Sequence, residues 1–154
     1  MTSPDQRLAE LGLTLPEVVP PVAAYVPAVR TGRYVYVSGQ VPIVDGKLAA
    51  TGKVGGEVGA AQAKEFARIC GLNALAAAAS LTGGLSAITR MVKLTGFVAS
   101  APGFTDQPQV INGASELLLE VFGDAGRHAR SAVGVAELPL GAPVEVELIV
   151  EVAD

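Results

Sequence analysis

The carboxyl-terminal part of the chain, residues 130–152, constrains the fold most strongly. Residues 130–137 begin with an arginine and continue as an apolar segment, and residues 144–152 form a second segment in which carboxylates recur between apolar side chains. Leu138-Pro139 and Gly141 lie between them and supply the residue types that turns prefer. The pattern predicts two strands joined by a turn, and we expect them to be neighbours in a sheet.

Arg130 and Glu145 are the two side chains of this region that can carry chemistry. A guanidinium is a planar donor that can hold a small carboxylate through two parallel hydrogen bonds. A glutamate on a neighbouring strand can transfer a proton or orient a water molecule. The sequence therefore indicates a site for a small charged molecule. A structural ion pair between Arg130 and Glu145 or Glu147 is the alternative role for the same residues.

Composition favours a small apolar domain that associates with itself. The chain has 154 residues, of which 50% are hydrophobic, but aromatic residues make up only 5% and tryptophan is absent. The core must therefore be built from Ala, Val and Leu. Charged residues make up 17%, which is less than the usual quarter, so we expect oligomerisation to cover the surplus apolar surface.

Charge and residue counts disfavour several classes of function. The formal net charge is −4 and no basic patch is visible, so nucleic-acid binding is not expected. One cysteine, Cys70, excludes an internal disulfide, and one histidine, His128, makes a zinc site or a Ser-His-Asp triad improbable. We expect no metal and no cofactor, and we interpret His128 as a polar surface residue. The amino terminus lacks a signal pattern and residues 72–81 are too short to span a bilayer, which predicts a cytoplasmic protein.

The pattern of helix and strand signals predicts one α+β domain over residues 1–154. The Gly-rich segment 51–59 lacks the ending of a phosphate-binding loop and is interpreted as a loop. We predict two long helices on one face of a mixed, two-layer sheet. The elements expected in chain order are a short helix over 4–11 capped by Ser3, a Pro-rich connector over 16–21, strands over 22–29 and 33–38, a hairpin at Asp45-Gly46, a helix over 60–81, a strand over 90–98, a helix over 108–122, and strands over 130–137 and 144–152.

Several short motifs, in a fixed order, make the chain resemble the RidA/YjgF family of enamine/imine deaminases, also called the endoribonuclease L-PSP family. The resemblance covers residues 20–153. Its strongest parts are the Ser-Gly-Gln, Ala-Arg-Ser and Leu-Pro…Val-Glu-Val-Glu segments. The matching residues are Tyr25, Ser38-Gly39-Gln40, Asn73, the strand from Lys93 to Val98, Arg130-Ser131, Leu138-Pro139, Glu145 and Glu147.

The resemblance implies a chorismate-mutase-like fold, a homotrimer with clefts between subunits, and no cofactor. It implies a substrate of the 2-aminoacrylate type, an enamine or imine that water converts to a 2-oxo acid and ammonia. By resemblance, Arg130 binds the substrate carboxylate and Glu145 assists the proton transfers. The resemblance also assigns Tyr25, Ser38, Gly39 and Ser131 to the lining of the cleft, and it implies that Tyr25 comes from the adjacent subunit.

The chain departs from the family pattern at positions around the expected cleft. Pro27 stands where the better-known members have Gln, Ala132 where Cys is frequent, and Gly134 where Glu is usual. The loop over 99–108 is longer and lacks an expected Asn. These differences indicate a divergent subgroup that keeps the carboxylate clamp. Imine hydrolysis is the favoured function, a non-catalytic module that binds a small carboxylate such as a 2-oxo acid is the alternative, and an endoribonuclease or translation inhibitor is the third possibility.

Overall fold

The computed structural model describes residues 2–18 and 23–154. A five-stranded sheet has the order β1-β2-β7-β5-β6, and only the β5–β6 pair is parallel. The strands are β1 (Ala28–Thr31), β2 (Tyr34–Gln40), β5 (Ile88–Ala99), β6 (Ala129–Val135) and β7 (Val144–Val152), and a separate hairpin is formed by β3 (Ile43–Val44) and β4 (Lys47–Leu48). The helices are α1 (Pro4–Glu10), α2 (Ala60–Ala79) and α3 (Gln107–Phe122), and short 3-10 turns cover Leu85–Ala87, Gly123–Gly126 and Pro139–Gly141.

The two long helices cover one face of the sheet and leave the other face open, which confirms the predicted two-layer α+β architecture. Alternate residues of β7 point to the helices and are fully buried, whereas Glu145, Glu147 and Glu151 lie on the open face. The core is built from Ala, Val, Leu, Ile and Met side chains, as the shortage of aromatic residues predicts. The open face keeps exposed apolar side chains, namely Val29, Tyr34, Tyr36 and Val133.

Glycine and alanine allow α2 and α3 to pack unusually closely. A Cβ atom built on Gly113 of α3 would overlap the backbone carbonyl of Lys64 in α2, and one built on Gly71 would touch Ala114 at 3.3 Å. Lys64 and Arg68 of α2 also pair with Glu116 and Glu120 of α3 at 3.2 and 3.0 Å. This packing holds α3 rigidly above β5 and β6, where its polar residues reach the sheet.

One predicted strand differs from the structure. The first strand begins at Ala28 rather than at residue 22, because Pro27 has no N–H to donate to a ladder and its carbonyl instead accepts from the Ser38 N–H at 2.8 Å. Residues 19–22, which include the end of the expected Pro-rich connector, lie outside the described residues. The predicted cap of the first helix is confirmed, since Ser3 and Gln6 form a reciprocal capping box.

Candidate functional site

Arg130 lies on the edge strand β6, and its side chain is on the helix-covered side of the sheet. Its register partner on β5 is Leu94, which is fully buried beneath the helices. The Nη1 group donates to Asn112 Oδ1 at 2.7 Å and to Ser115 Oγ at 3.3 Å, and both partners are neutral residues of α3. Among residues 2–18 and 23–154, no carboxylate comes within 4.0 Å of this guanidinium.

Within one chain, Arg130 therefore does not form the structural ion pair with Glu145 or Glu147 that was the alternative role for these residues. A half-buried guanidinium that is held only by neutral partners retains its full positive charge. Because burying an uncompensated charge is costly, such a group favours an anion as its remaining partner.

Asn112 is a site residue that the sequence analysis missed. An Asn was expected within residues 99–108, but the structure supplies the amide from the second turn of α3. Asn112 and Ser115 are three residues apart and so lie on one helix face. That polar pair, in which each residue directly follows a buried apolar residue (Ile111 or Ala114), was the sequence signal that could have identified it.

His128 is not the free surface residue that the sequence suggested. Its Nε2 atom lies 2.9 Å from Ser115 Oγ, and its Nδ1 atom lies 2.7 Å from the Gly126 carbonyl oxygen. Both ring nitrogens are therefore engaged. The imidazole is connected to Arg130 through the single hydroxyl of Ser115.

Glu145 lies on the open face, opposite Phe97 of β5. Its carboxyl group is half-buried, and burial followed by the negative charge of Glu147 raises its pKa above the ordinary value. No described residue forms a hydrogen bond or an ion pair with this carboxyl group within the usual distances. A carboxyl group with a raised pKa holds its proton more tightly than an ordinary glutamate, which favours a role as general acid or base.

We expect Glu145→Gln to raise the melting temperature at pH 7 but not at pH 4. The raised pKa means that the folded state binds the Glu145 proton more tightly than the unfolded state, whose reference value is 4.5. The free energy of unfolding therefore falls as the pH rises from about the pKa of the unfolded state to the pKa of the folded state. Above the folded-state pKa the full loss of stability remains. Melting temperatures of both proteins between pH 4 and pH 7.5 test this. A gain from Glu145→Gln that is equal at every pH would contradict it. Glu151→Gln is the matched control, because Glu151 lies on the same face of β7 and does not contribute to the raised pKa of Glu145.

Gly39 provides the space that the Glu145 side chain occupies. The β2–β7 register shifts between Val37 and Gln40, so Ser38-Gly39 forms a β-bulge. A Cβ atom built on Gly39 would overlap Glu145 Oε1 and would lie 2.8 Å from its Cδ atom. Gly39 does not adopt a positive φ, so its missing side chain serves the close approach of Glu145 and not the backbone conformation.

The remaining predicted site residues have distinct positions. Ser38 Oγ donates to the Val26 carbonyl at 2.6 Å and so fixes the segment that carries Tyr25, whose side chain is exposed. Ser131 pairs with Thr95 and lies on the open face, opposite to the direction of Arg130. The structure thus places Ser38, Gly39 and Glu145 together, whereas Arg130 and Ser131 lie apart from them.

Arg130 and Glu145 do not meet within one chain. The expectation that their strands are neighbours is wrong, because β5 lies between β6 and β7. Two strand spacings and three residues of rise separate their Cα atoms by about 14 Å. Their side chains also point to opposite faces of the sheet, since Arg130 pairs with the helix-facing Leu94 and Glu145 with Phe97 on the open face.

Neither a metal cluster nor a membrane span is found in the described part of the chain. Residues 2–18 and 23–154 contain no group of three or more His, Cys, Asp or Glu side chains that could hold a metal ion. Within the same residues, no helix is both long and apolar enough to cross a bilayer.

Comparison with known proteins gives a consistent result. The family model described as "YjgF/chorismate mutase-like, putative endoribonuclease" matches residues 5–152. Protein TCP17 of Trypanosoma cruzi is 44% identical over 94% of this chain and 91% of its own length.

Two solved structures show the same fold. The protein Atu1372 of Agrobacterium tumefaciens, described as having unknown function, is 50% identical with a TM-score of 0.88, and the match covers 97% of this chain and 91% of that one. TdcF of E. coli, solved with bound serine, is 25% identical with a TM-score of 0.65, and the match covers 87% of this chain and 92% of that one. Fold, motifs and relatives agree that the chain belongs to the YjgF/chorismate mutase-like family.

Proposed function

We propose that the protein hydrolyses reactive 2-imino and 2-enamino acids to 2-oxo acids and ammonia. The observation that carries the proposal is the half-buried Arg130 guanidinium, which is held by the neutral Asn112 and Ser115 and has no carboxylate partner among the described residues. A small carboxylate supplies the missing anion. The bidentate fork then fixes an imino acid with its C2 atom in a constant place, and positioning is the main help that so reactive a group needs.

The reaction needs one water molecule and balanced proton transfers. The water oxygen attacks C2 of the imine and gives up one proton, and the electron pair of the C=N bond moves to nitrogen, which takes a proton. The amino nitrogen of the resulting carbinolamine then takes a second proton while its hydroxyl group loses one. The C–N bond breaks, the C=O bond of the 2-oxo acid forms, and ammonia leaves. Glu145 is suited to these transfers because its carboxyl group has a raised pKa and no hydrogen-bonding partner within the described residues.

The proposal requires that the site be completed between two copies of the chain. Arg130 and Glu145 lie on opposite faces of one sheet, so a single substrate contacts both only if Glu145 comes from another copy. The exposed Tyr25 and the apolar residues of the open face are consistent with such a contact. We propose the homotrimer that the family resemblance implies, and light scattering measures its mass directly.

The experiment that tests the proposal is suppression of imine trapping. An amino-acid oxidase generates imines from several amino acids, and semicarbazide traps them as a spectroscopic product. We expect the wild-type protein to lower the amount of trapped imine. With the Arg130→Ala variant, the amount should equal that measured without added protein. Absence of suppression with every imine would contradict the proposal.

Serine bound to the related TdcF favours a second candidate, a non-catalytic module that binds small amino or 2-oxo acids. Calorimetry with pyruvate and serine separates the two functions. Binding that is lost in Arg130→Ala, together with no suppression of trapping, would assign the binding module.

We expect Gly39→Ala to abolish the contribution of Glu145 to catalysis. The added methyl group occupies the position of the Glu145 carboxylate, which must move away. Turnover should therefore fall to the level of Glu145→Gln, about 100-fold below wild type, as for the loss of a general acid or base. Wild-type turnover in Gly39→Ala would contradict this assignment.

A further inference from the structure

The hydrogen bonds of Arg130 leave one defined edge of its guanidinium free. The Nη1 group has two N–H bonds, and these are directed to Asn112 Oδ1 and Ser115 Oγ. The Nε and Nη2 atoms form no hydrogen bond with any residue in the ranges 2–18 and 23–154. Their N–H bonds are parallel, so this edge is a fork that matches the two oxygens of a carboxylate.

The direction of each hydrogen bond in the Ser115–His128 pair follows from one fixed acceptor. The Gly126 carbonyl can only accept, so His128 Nδ1 carries the proton and donates to it. In the neutral imidazole Nε2 is then an acceptor, and the Ser115 hydroxyl donates to it. The lone pairs of Ser115 Oγ therefore remain available for the Arg130 Nη1 group.

We propose that Ser115 and His128 are positioning residues that hold the Arg130 guanidinium with its Nε–Nη2 edge free for a carboxylate. The identity of that anion rests on the proposed function, whereas the positioning does not. Without His128 as acceptor, the Ser115 hydroxyl turns to a carbonyl of its own helix, and its bond to Arg130 is no longer oriented. A guanidinium held by Asn112 alone can rotate about that bond, so the free edge loses its fixed direction.

The single histidine of the chain makes the first part of the proposal directly measurable. A nitrogen-15 spectrum of the imidazole reports His128 without overlap. At pH 8, in the absence of any ligand, we expect the neutral ring to carry its proton on Nδ1. A proton on Nε2 would reverse the Ser115–His128 hydrogen bond and overturn the proposal.

Paired variants test the positioning itself. Ser115→Ala and His128→Ala remove the hydroxyl and the acceptor, whereas Ser115→Thr and His128→Gln keep a hydroxyl and a carbonyl acceptor. The Arg130 Nε–H signal, identified by its absence in Arg130→Lys, should be rigid in wild type and mobile in the two alanine variants. We expect the dissociation constant for pyruvate to rise about 10-fold in the alanine variants, as for loss of one hydrogen bond to a charged group, and to stay near wild type in the two conservative variants.

The readouts separate failure of this proposal from failure of the proposed function. A rigid Nε–H signal in Ser115→Ala would overturn the positioning role whether or not the protein binds a carboxylate. A wild-type protein that neither binds pyruvate nor suppresses imine trapping would contradict the proposed function, while the Nε–H signal would still decide the positioning role.

Discussion

Arg130→Ala should lower kcat/KM for imine hydrolysis about 100-fold or more, and Arg130→Lys about 10–100-fold. Each charge-assisted hydrogen bond to a carboxylate contributes about 1.5–3 kcal/mol, and alanine removes both bonds of the fork. Lysine keeps the positive charge but has no planar fork. If two of its three N–H bonds serve Asn112 and Ser115, only one remains for the carboxylate.

The loss should be concentrated in KM, because the carboxylate is bound equally in the ground state and the transition state. Steady-state kinetics over several imines measure it. Arg127→Ala is the matched control, since Arg127 is exposed and pairs with Asp124 at 3.6 Å, and its kcat/KM should remain within about twofold of wild type. Wild-type kinetics in Arg130→Lys would show that bidentate binding is not used.

Gly113→Ala should destabilise the fold by about 2–4 kcal/mol, which corresponds to a fall in melting temperature of about 5–15 °C. Its new methyl group would overlap the Lys64 carbonyl of α2, and backbone cannot move aside as a flexible side chain can. Alanine gains about 1 kcal/mol of helix propensity over glycine, so only a steric cost larger than that gives a net loss.

Gly71→Ala is the control for this prediction, because it lies in the other helix of the same pair and its Cβ atom would meet the Ala114 side chain at 3.3 Å. Thermal and urea unfolding measure the free energy of unfolding of both variants. We expect a much smaller loss for Gly71→Ala than for Gly113→Ala. Equal losses in the two variants would mean that the close approach of α2 and α3 at Gly113 does not determine the stability of the fold.

Periodicity explains why most of the fold could be predicted from the sequence. The Ala-rich helix and the alternating strands of the carboxyl-terminal region are long, so their patterns identify type and approximate ends. The order of the strands in the sheet is not contained in these local patterns. Residues 130–137 and 144–152 have a short connection, which favours a hairpin. In the sheet β5 lies between them, and these long-range pairs leave no local sequence pattern.

The sequence predicted only those site residues whose type is unusual for their position. Arg130 and Glu145 stand out as charged residues on apolar strands, and their positions follow from the family resemblance. The Asn112, Ser115 and His128 contacts depend on how the end of α3 turns into β6 through Gly123–Gly126. No sequence spacing reports that geometry. An isolated histidine therefore resembles an ordinary polar residue of the surface in the sequence, although both ring nitrogens of His128 have hydrogen-bonding partners.

The placement of Arg130 and Glu145 on opposite faces of one sheet has a genetic consequence. If the two residues serve a shared cleft from different copies, then Arg130→Ala and Glu145→Gln damage different halves of it. Two inactive proteins, unfolded together and refolded as a mixture, should then regain activity in about one cleft in four by random assortment. A cell that expresses both alleles would be partly functional, although either allele alone would not.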